Sequence, residues 1–198
     1  MGDVILIRHG ATEWSRDGRH TSYTDLPLLP EGETQASALV PLLAQHDIGL
    51  TLCSPMLRAR DTAKLAGLDP VQLDEDMHEW DYGGYEGIST VEIHRTRPGW
   101  NLWSDGVPPG PDGHAGETPA QIGARADRVL ATVDDALRGD SRDVALVAHA
   151  HFLRVFTARY LGLPPACGAL FMLATGTMSR LGAEHDQPAV ASWNEQPR

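Results

Sequence analysis

The stretch Val4-Ile5-Leu6-Ile7-Arg8-His9-Gly10 constrains this chain more than any other. Four consecutive large apolar residues, three of them β-branched, have the pattern of a short strand buried on both faces. The run stops at a cation, an imidazole and a glycine that is free to adopt positive φ. In open α/β sheets, functional side chains gather at the carboxyl ends of the strands. An Arg beside a His at such an end makes an anion site in which the His is also a candidate nucleophile. The same three residues fit an ordinary strand exit, so the decision falls to the rest of the chain.

Val144 to Val147 repeats the opening pattern and ends at His149-Ala150-His151. Between the two runs, Leu50 to Cys53 is a third buried strand, and Val71 to Leu73 a short fourth. Ser54-Pro55 is expected to supply the N-cap and first turn of a helix through about Ala66, with Arg58 near its positive amino end. Pro30-Glu31 opens a helix through roughly His46, kinked at Pro41. Thr90 to Arg97 suggests a short helix. Thr118-Pro119-Ala120-Gln121 is a capping box with proline at the first helical position, followed by Ile122, Ala126, Val129, Val133 and Leu137 on one stripe. Phe152 to Leu161 forms a helix closed by Gly162 and Pro164, and the tail from Leu170 to Trp193 suggests two or three strands. Strands alternating with helices predict an α/β protein: a three-layer α/β/α sandwich with a mostly parallel central sheet, one domain over 1–198.

Charge narrows the partners. The net charge of −11 over 198 residues argues against nucleic acid or an anionic membrane surface. Lys64 is the sole lysine, so any anion site must be built from arginines and histidines. Cys53 and Cys167 lie far apart with no metal-binding spacing and are expected to be free thiols. No apolar run reaches the length of a membrane span, and no leader pattern opens the chain. A soluble, cytoplasmic protein is expected.

Three loops complete the picture. Ala11 to Pro30 is polar and too long for a simple connection, which suggests a functional loop over the strand end. Glu79 to Gly87 packs aromatics, glycines and carboxylates together, and burial against Trp80 and Tyr82 would raise a carboxyl pKa as general-acid work requires. Glu13, Asp81 and Glu86 compete with Glu79 for that role. Pro98 to Gly116, with Trp100 and Trp103, reads as a lid or rim. Arg8, Arg58, His9 and His149 gathered at one sheet edge would make a site for a phosphoryl dianion, with Glu79 as its acid. Neutral imidazoles at His149 and His151 also suit zinc, but carboxylate partners at ligand spacing are not evident.

On these residues the chain resembles the histidine phosphatase superfamily, the phosphoglycerate-mutase-like group. Arg8-His9-Gly10, Ser54 to Ala59, Glu79 to Gly87 and Val147-Ala148-His149 match its four segments in order. Arg8 to Ser15, Glu79 to Gly83, Trp100 to Trp103 and His149-x-His151 look more like its broad acid phosphatase and sedoheptulose-bisphosphatase branches than its mutases. The resemblance implies a phosphoglycerate-mutase-like fold and a phosphomonoester hydrolase of small phosphorylated metabolites such as sugar phosphates. It implies that His9 becomes a phosphohistidine, that Arg8, Arg58 and His149 hold the phosphoryl oxygens, and that Glu79 moves the proton. It implies no metal or cofactor, a small-molecule substrate as partner, and a monomer or homodimer. Ser15, Thr21, Ser22, Ala150 and His151 are the candidate substrate-binding residues, and Trp14, Tyr23, Trp100 and Trp103 could shape the leaving-group side. Two positions depart from the pattern: Ala150 replaces a glycine, and Ser22 replaces a glycine that lies against substrate in the mutases. A phosphoglycerate mutase is the alternative, and a non-catalytic phosphate-binding module a weaker one.

Overall fold

A computed structural model describes residues 2–111 and 113–196. Its first strand, β1 (Val4–Arg8), lies inside a six-stranded sheet whose other strands are β2 (Ile48–Cys53), β3 (Gln72–Leu73), β4 (Asp143–Ala148), β5 (Met178–Glu184) and β6 (Gln187–Glu195). The spatial order is β3-β2-β4-β1-β5-β6. The first four in that order run parallel, while β5 is antiparallel to both β1 and β6. The expected tail resolves into two strands.

Burial on both faces of β1 follows from its alternation. Val4 and Leu6 join one core cluster, Ile5 and Ile7 the other. Helices cover each face: α1 (Glu13–Asp17), α2 (Pro30–Ala38), α3 (Val40–Leu43), α4 (Leu57–Leu65), α5 (Thr90–Thr96), α6 (Leu102–Asp105), α7 (Pro119–Gly139) and α8 (Ala150–Tyr160). Ile5 and Ile7 pack with Leu39, Leu43, Ala59 and Ala63 from the α2, α3 and α4 side. Val4 and Leu6 share their core with α7 and α8, where the whole predicted stripe from Ile122 to Leu137 is buried. The fold is the expected three-layer α/β/α arrangement.

Four local expectations are corrected. The helix from Pro30 does not kink at Pro41 but breaks before it. Pro41 has no N–H to donate back into the preceding turn, so α2 ends at Ala38 and α3 restarts at Val40 with the proline in its first turn. Ser54 is not the N-cap of α4, because Pro55 delays the helix: Met56 occupies the cap, and Asp25 Oδ1 accepts the Leu57 N–H at 2.8 Å. α8 begins two residues early, at Ala150, with His149 at its N-cap. Finally, Gly10 is not among the positive-φ residues. It is needed for a close approach, since a Cβ there would run into the Gly32 carbonyl, and one on Gly32 into that of Ala11.

The segment from Pro98 is a packed wall. Trp100 and Leu102 are buried in the α7 core, and Pro108 accepts the Gly84 N–H at 2.8 Å. The parallel register supplies the feature the site depends on. Arg8 pairs with Ala148 in the last rung of β1 and β4, so the next residues, His9 and His149, leave the sheet side by side.

Candidate active site

His9 is fixed first through its backbone, whose N–H donates to Ala148 O at 3.0 Å. Its ring Nδ1 lies 2.8 Å from Gly10 O. A carbonyl only accepts, so Nδ1 carries the proton and Nε2 keeps its lone pair. Burial holds the imidazole's pKa well below 6.5, and the nearby Arg58 and Arg8 charges add to that effect. His9 lines a cavity of about 260 Å³. A neutral, oriented imidazole with a free lone pair at a cavity wall has the features a nucleophile requires.

Two arginines flank it. Arg58 is fully buried. Its Nε donates to His149 Nδ1 at 3.2 Å, Nη1 to Thr24 O at 3.1 Å and Nη2 to Ser22 O at 2.9 Å. His149 therefore carries its proton on Nε2, which lies 2.8 Å from Ser54 Oγ. Burial, then Arg58, then His9 keep the His149 pKa well below 6.5. The His9 and His149 rings meet edge-on at 5.1 Å between centroids. Arg8 donates from Nη1 to Leu173 O, while its Nε is buried with no hydrogen-bond partner among the described residues.

Glu79 enters from the other side on a segment without regular structure and is 5% exposed. Oε1 accepts the N–H of Trp80 at 2.9 Å and of Phe152 at 2.8 Å, and Oε2 accepts that of His151 at 3.0 Å. The carboxylate thus satisfies free amides in the first turn of α8, which accounts for that helix's early start. Trp80 and Tyr82 are buried beside it as expected, and three main-chain N–H donors fix the orientation of its carboxylate.

A model of the histidine phosphatase superfamily (branch 1) matches residues 4–196. The chain belongs to that superfamily. An acid phosphatase of Mycobacterium tuberculosis is 40% identical over 184 residues, covering 92% of this chain and 87% of that protein. The sedoheptulose 1,7-bisphosphatase of Saccharomyces cerevisiae is 38% identical over 190 residues, covering 80% of this chain and 67% of that one. The solved structure of a Mycobacterium tuberculosis open reading frame product superposes with a TM-score of 0.91 at 38% identity, over 100% of this chain and 99% of that one. Family and relatives together make this chain a phosphoric monoester hydrolase.

Within the histidine phosphatase frame, the structure gathers most of the sequence-predicted residues. Arg8, His9 and Glu79 line the cavity together with Ser15, Thr21, Ala150 and His151. Ala150 sits in the helical region, so its methyl is unstrained. Arg58 and His149 stand immediately behind His9 rather than on the cavity wall. Ser22 is fully buried and outside the lining: its amide N–H donates to Glu86, its hydroxyl to Glu79 O at 3.3 Å, and its carbonyl accepts from Arg58. It braces the loop instead of facing a substrate. Of the competing carboxylates, Glu86 holds the Ser22 and Thr24 amides, Asp81 holds those of Gly83 and Gly116, and Glu13 is exposed on α1. None of the three lines the cavity.

His149 and His151 do not converge on a common point: His149 is engaged by Arg58 and Ser54, while His151 Nδ1 lies 2.7 Å from the Tyr82 hydroxyl. Sequence reading missed Arg154, Arg19, His20 and Thr90 as lining residues. Arg154 lies three residues beyond His151 on α8, a spacing that puts both on one helix face. Its guanidinium stacks 4.7 Å over Trp103. For Arg19, His20 and Thr90 no comparable signal exists, since their position depends on how the long loop folds back.

Proposed function

We propose that this chain hydrolyses small phosphorylated metabolites through a covalent phosphohistidine on His9. The observation that carries the reading is the His9 imidazole itself. Its proton is committed to Gly10 O, its charge is suppressed by burial and two arginines, and Nε2 is left with a lone pair.

In the first step Nε2 attacks phosphorus in line, the N–P bond forms and the ester P–O bond breaks. Arg8, Arg58 and His149 take the charge gathering on the equatorial oxygens. The buried, unpartnered Arg8 Nε supports this role, and for His149 it means turning its Nε2–H from Ser54 toward phosphate. Glu79 gives its proton to the leaving oxygen through Oε2, which accepts one amide against two on Oε1. In the second step the Glu79 carboxylate takes a proton from water, which attacks phosphorus, breaks the N–P bond and releases phosphate. Ser15, Thr21, Ala150 and His151 border the leaving group.

The substrates are phosphomonoesters of modest size, as the cavity and the names of the relatives suggest; one named relative is a glucosyl-3-phosphoglycerate phosphatase. We place the enzyme in the cytoplasm as a single-domain monomer or homodimer that takes small molecules and needs no metal. Quenching in base during turnover should trap a phosphoenzyme that is stable in base and labile in acid, because a phosphoramidate hydrolyses in that way. Label that survives mild acid would assign the intermediate to Ser or Thr and overturn the reading.

A further inference from the structure

Glu79 sits on an irregular segment, yet its carboxylate must be held to within a fraction of an ångström to pass a proton. We infer that Arg125 and Glu117 are the positioning residues that fix it, a role neither touching substrate nor lining the cavity. The inference rests on the assignment of Glu79 as the acid.

Arg125 lies on the first half of α7, with its side chain 13% exposed. All five of its N–H donors are used. Nε and Nη2 each bond one Glu117 carboxylate oxygen at 2.7 Å, a bidentate pair. Nη1 donates to the carbonyls of Asp76 and His78, and Nη2 also to that of Glu79 at 3.3 Å. Three carbonyls of the acid-bearing segment therefore converge on one rigid fork.

Glu117 grips the same segment from its other end. Its Oε2 accepts the Asp81 N–H at 2.9 Å, and its backbone carbonyl accepts the Trp80 indole N–H at 2.9 Å. The guanidinium also lies 5.5 Å over the Phe152 ring, and Phe152 is the residue whose amide N–H binds Glu79 Oε1. One ion pair thus fixes both the segment carrying the acid and the helix turn receiving it. A surface ion pair would be worth little; a partly buried pair whose side chains also satisfy three carbonyls and the Asp81 amide defines a geometry. Lysine at 125 would keep the charge but could not reproduce the fork.

The test compares Arg125→Lys and Glu117→Gln with Glu79→Gln on two substrates, an alkyl phosphate that needs a proton for its leaving oxygen and 4-nitrophenyl phosphate that does not. Single-turnover phosphorylation rates are read beside melting temperatures. A misplaced acid should slow the alkyl substrate in both clamp variants by roughly tenfold to a hundredfold and the nitrophenyl substrate by less than about threefold. Glu79→Gln should show the same selectivity more strongly. If Glu79→Gln is selective while the clamp variants lose both substrates equally or neither, the positioning role falls and the assignment of Glu79 stands. If Glu79→Gln itself lacks selectivity, both fall. Should Arg125→Lys not fold, Glu117→Gln decides alone, since the amide keeps the shape and an oxygen for Asp81 while giving up the charge that pairs with Arg125.

Discussion

His9 and His149 arrive at the site from the ends of neighbouring parallel strands, whereas Glu79 arrives on a stretch with no regular structure. On the strand side, position comes from main-chain bonding. The β1–β4 ladder sets the register, His9 N–H bonds Ala148 O, the His9 ring needs one further contact, to Gly10 O, and the His149 ring is held by Arg58 and Ser54. On the loop side, position comes from side chains distant in sequence: Glu117 and Arg125 hold the segment and α8 amides hold the carboxylate. In the proposed mechanism the nucleophile needs no adjustable partner during attack, while the acid changes protonation twice per cycle. A rigid lattice suits the first, and a polar cradle that tolerates a moving proton suits the second.

The sharpest break in the comparison is on the strand side. His9→Ala removes the group that forms the intermediate, and no other cavity residue has a neutral, oriented lone pair in the same place. Turnover should fall on the order of a million-fold, as loss of a nucleophile in a coupled site does elsewhere. Steady-state hydrolysis of 4-nitrophenyl phosphate checks it, and substantial residual activity would end the phosphohistidine mechanism.

On the loop side the loss should depend on the leaving group. Glu79→Gln keeps size and accepts the Trp80 and Phe152 amides through its one oxygen, but gives up the His151 amide and has no acidic proton to give. Alkyl phosphates should slow by roughly a hundredfold or more. With a nitrophenyl leaving group the intermediate should form quickly and then hydrolyse slowly, giving a burst before the steady state. Equal losses on both substrates with no burst would move the acid role to Asp81, Glu86 or Glu13.

Gly10→Ala tests the lattice without touching a reacting atom. The added methyl meets the Gly32 carbonyl, so the β1 exit and the start of α2 must separate. Overpacking of this kind costs typically about 1–3 kcal/mol, and each kcal/mol lowers the melting temperature by roughly 2–4 °C in a protein of this size. A thermal melt unchanged from the parent would show that the close approach is not under constraint.

What could be read in advance follows the same divide. The strand side is legible because continuous apolar runs ending in Arg8-His9 and His149 state where the sheet stops and what stands there. The register that brings the two histidines together follows from pairing two such runs. Elements with strong local signals were placed well, α7 best, because its capping box and stripe agree. The loop side was legible only as a cluster of unusual residues. Nothing local says that Glu79 caps α8 across 72 residues of sequence, that Ser22 turns inward onto Glu86, or that the Ser54 hydroxyl meets His149. The sequence suggests torsional freedom at Gly10, whereas the fold uses its lack of a side chain. These are long-range contacts, and composition does not encode them.

His20 offers the smallest expected effect and a separate handle on the loop side. It lies 4.6 Å from the Tyr82 ring and 5.8 Å from that of Trp100, with Nε2 3.3 Å from the Thr90 hydroxyl and no carboxylate on it. Burial lowers its pKa to about 4. The sign follows from linkage. Above the unfolded value of about 6.5 neither state binds the proton, so His20 costs nothing. As pH falls below that value the unfolded chain takes up a proton that the folded chain refuses, and stability declines until pH reaches the folded value near 4. In that window each such histidine costs about 1.4 kcal/mol per pH unit, roughly 3–6 °C of melting temperature. His9, His149 and His151 are buried and lowered in the same direction, so the parent should melt progressively lower between pH 6.5 and 4. His20→Gln keeps a donor for Thr90 and cannot titrate. It should lower the melting temperature by a constant offset from the lost ring contacts and flatten the decline by one histidine's share. An offset with the parent's full slope would mean that His20 is protonated in the folded enzyme and that the loop side admits water to it.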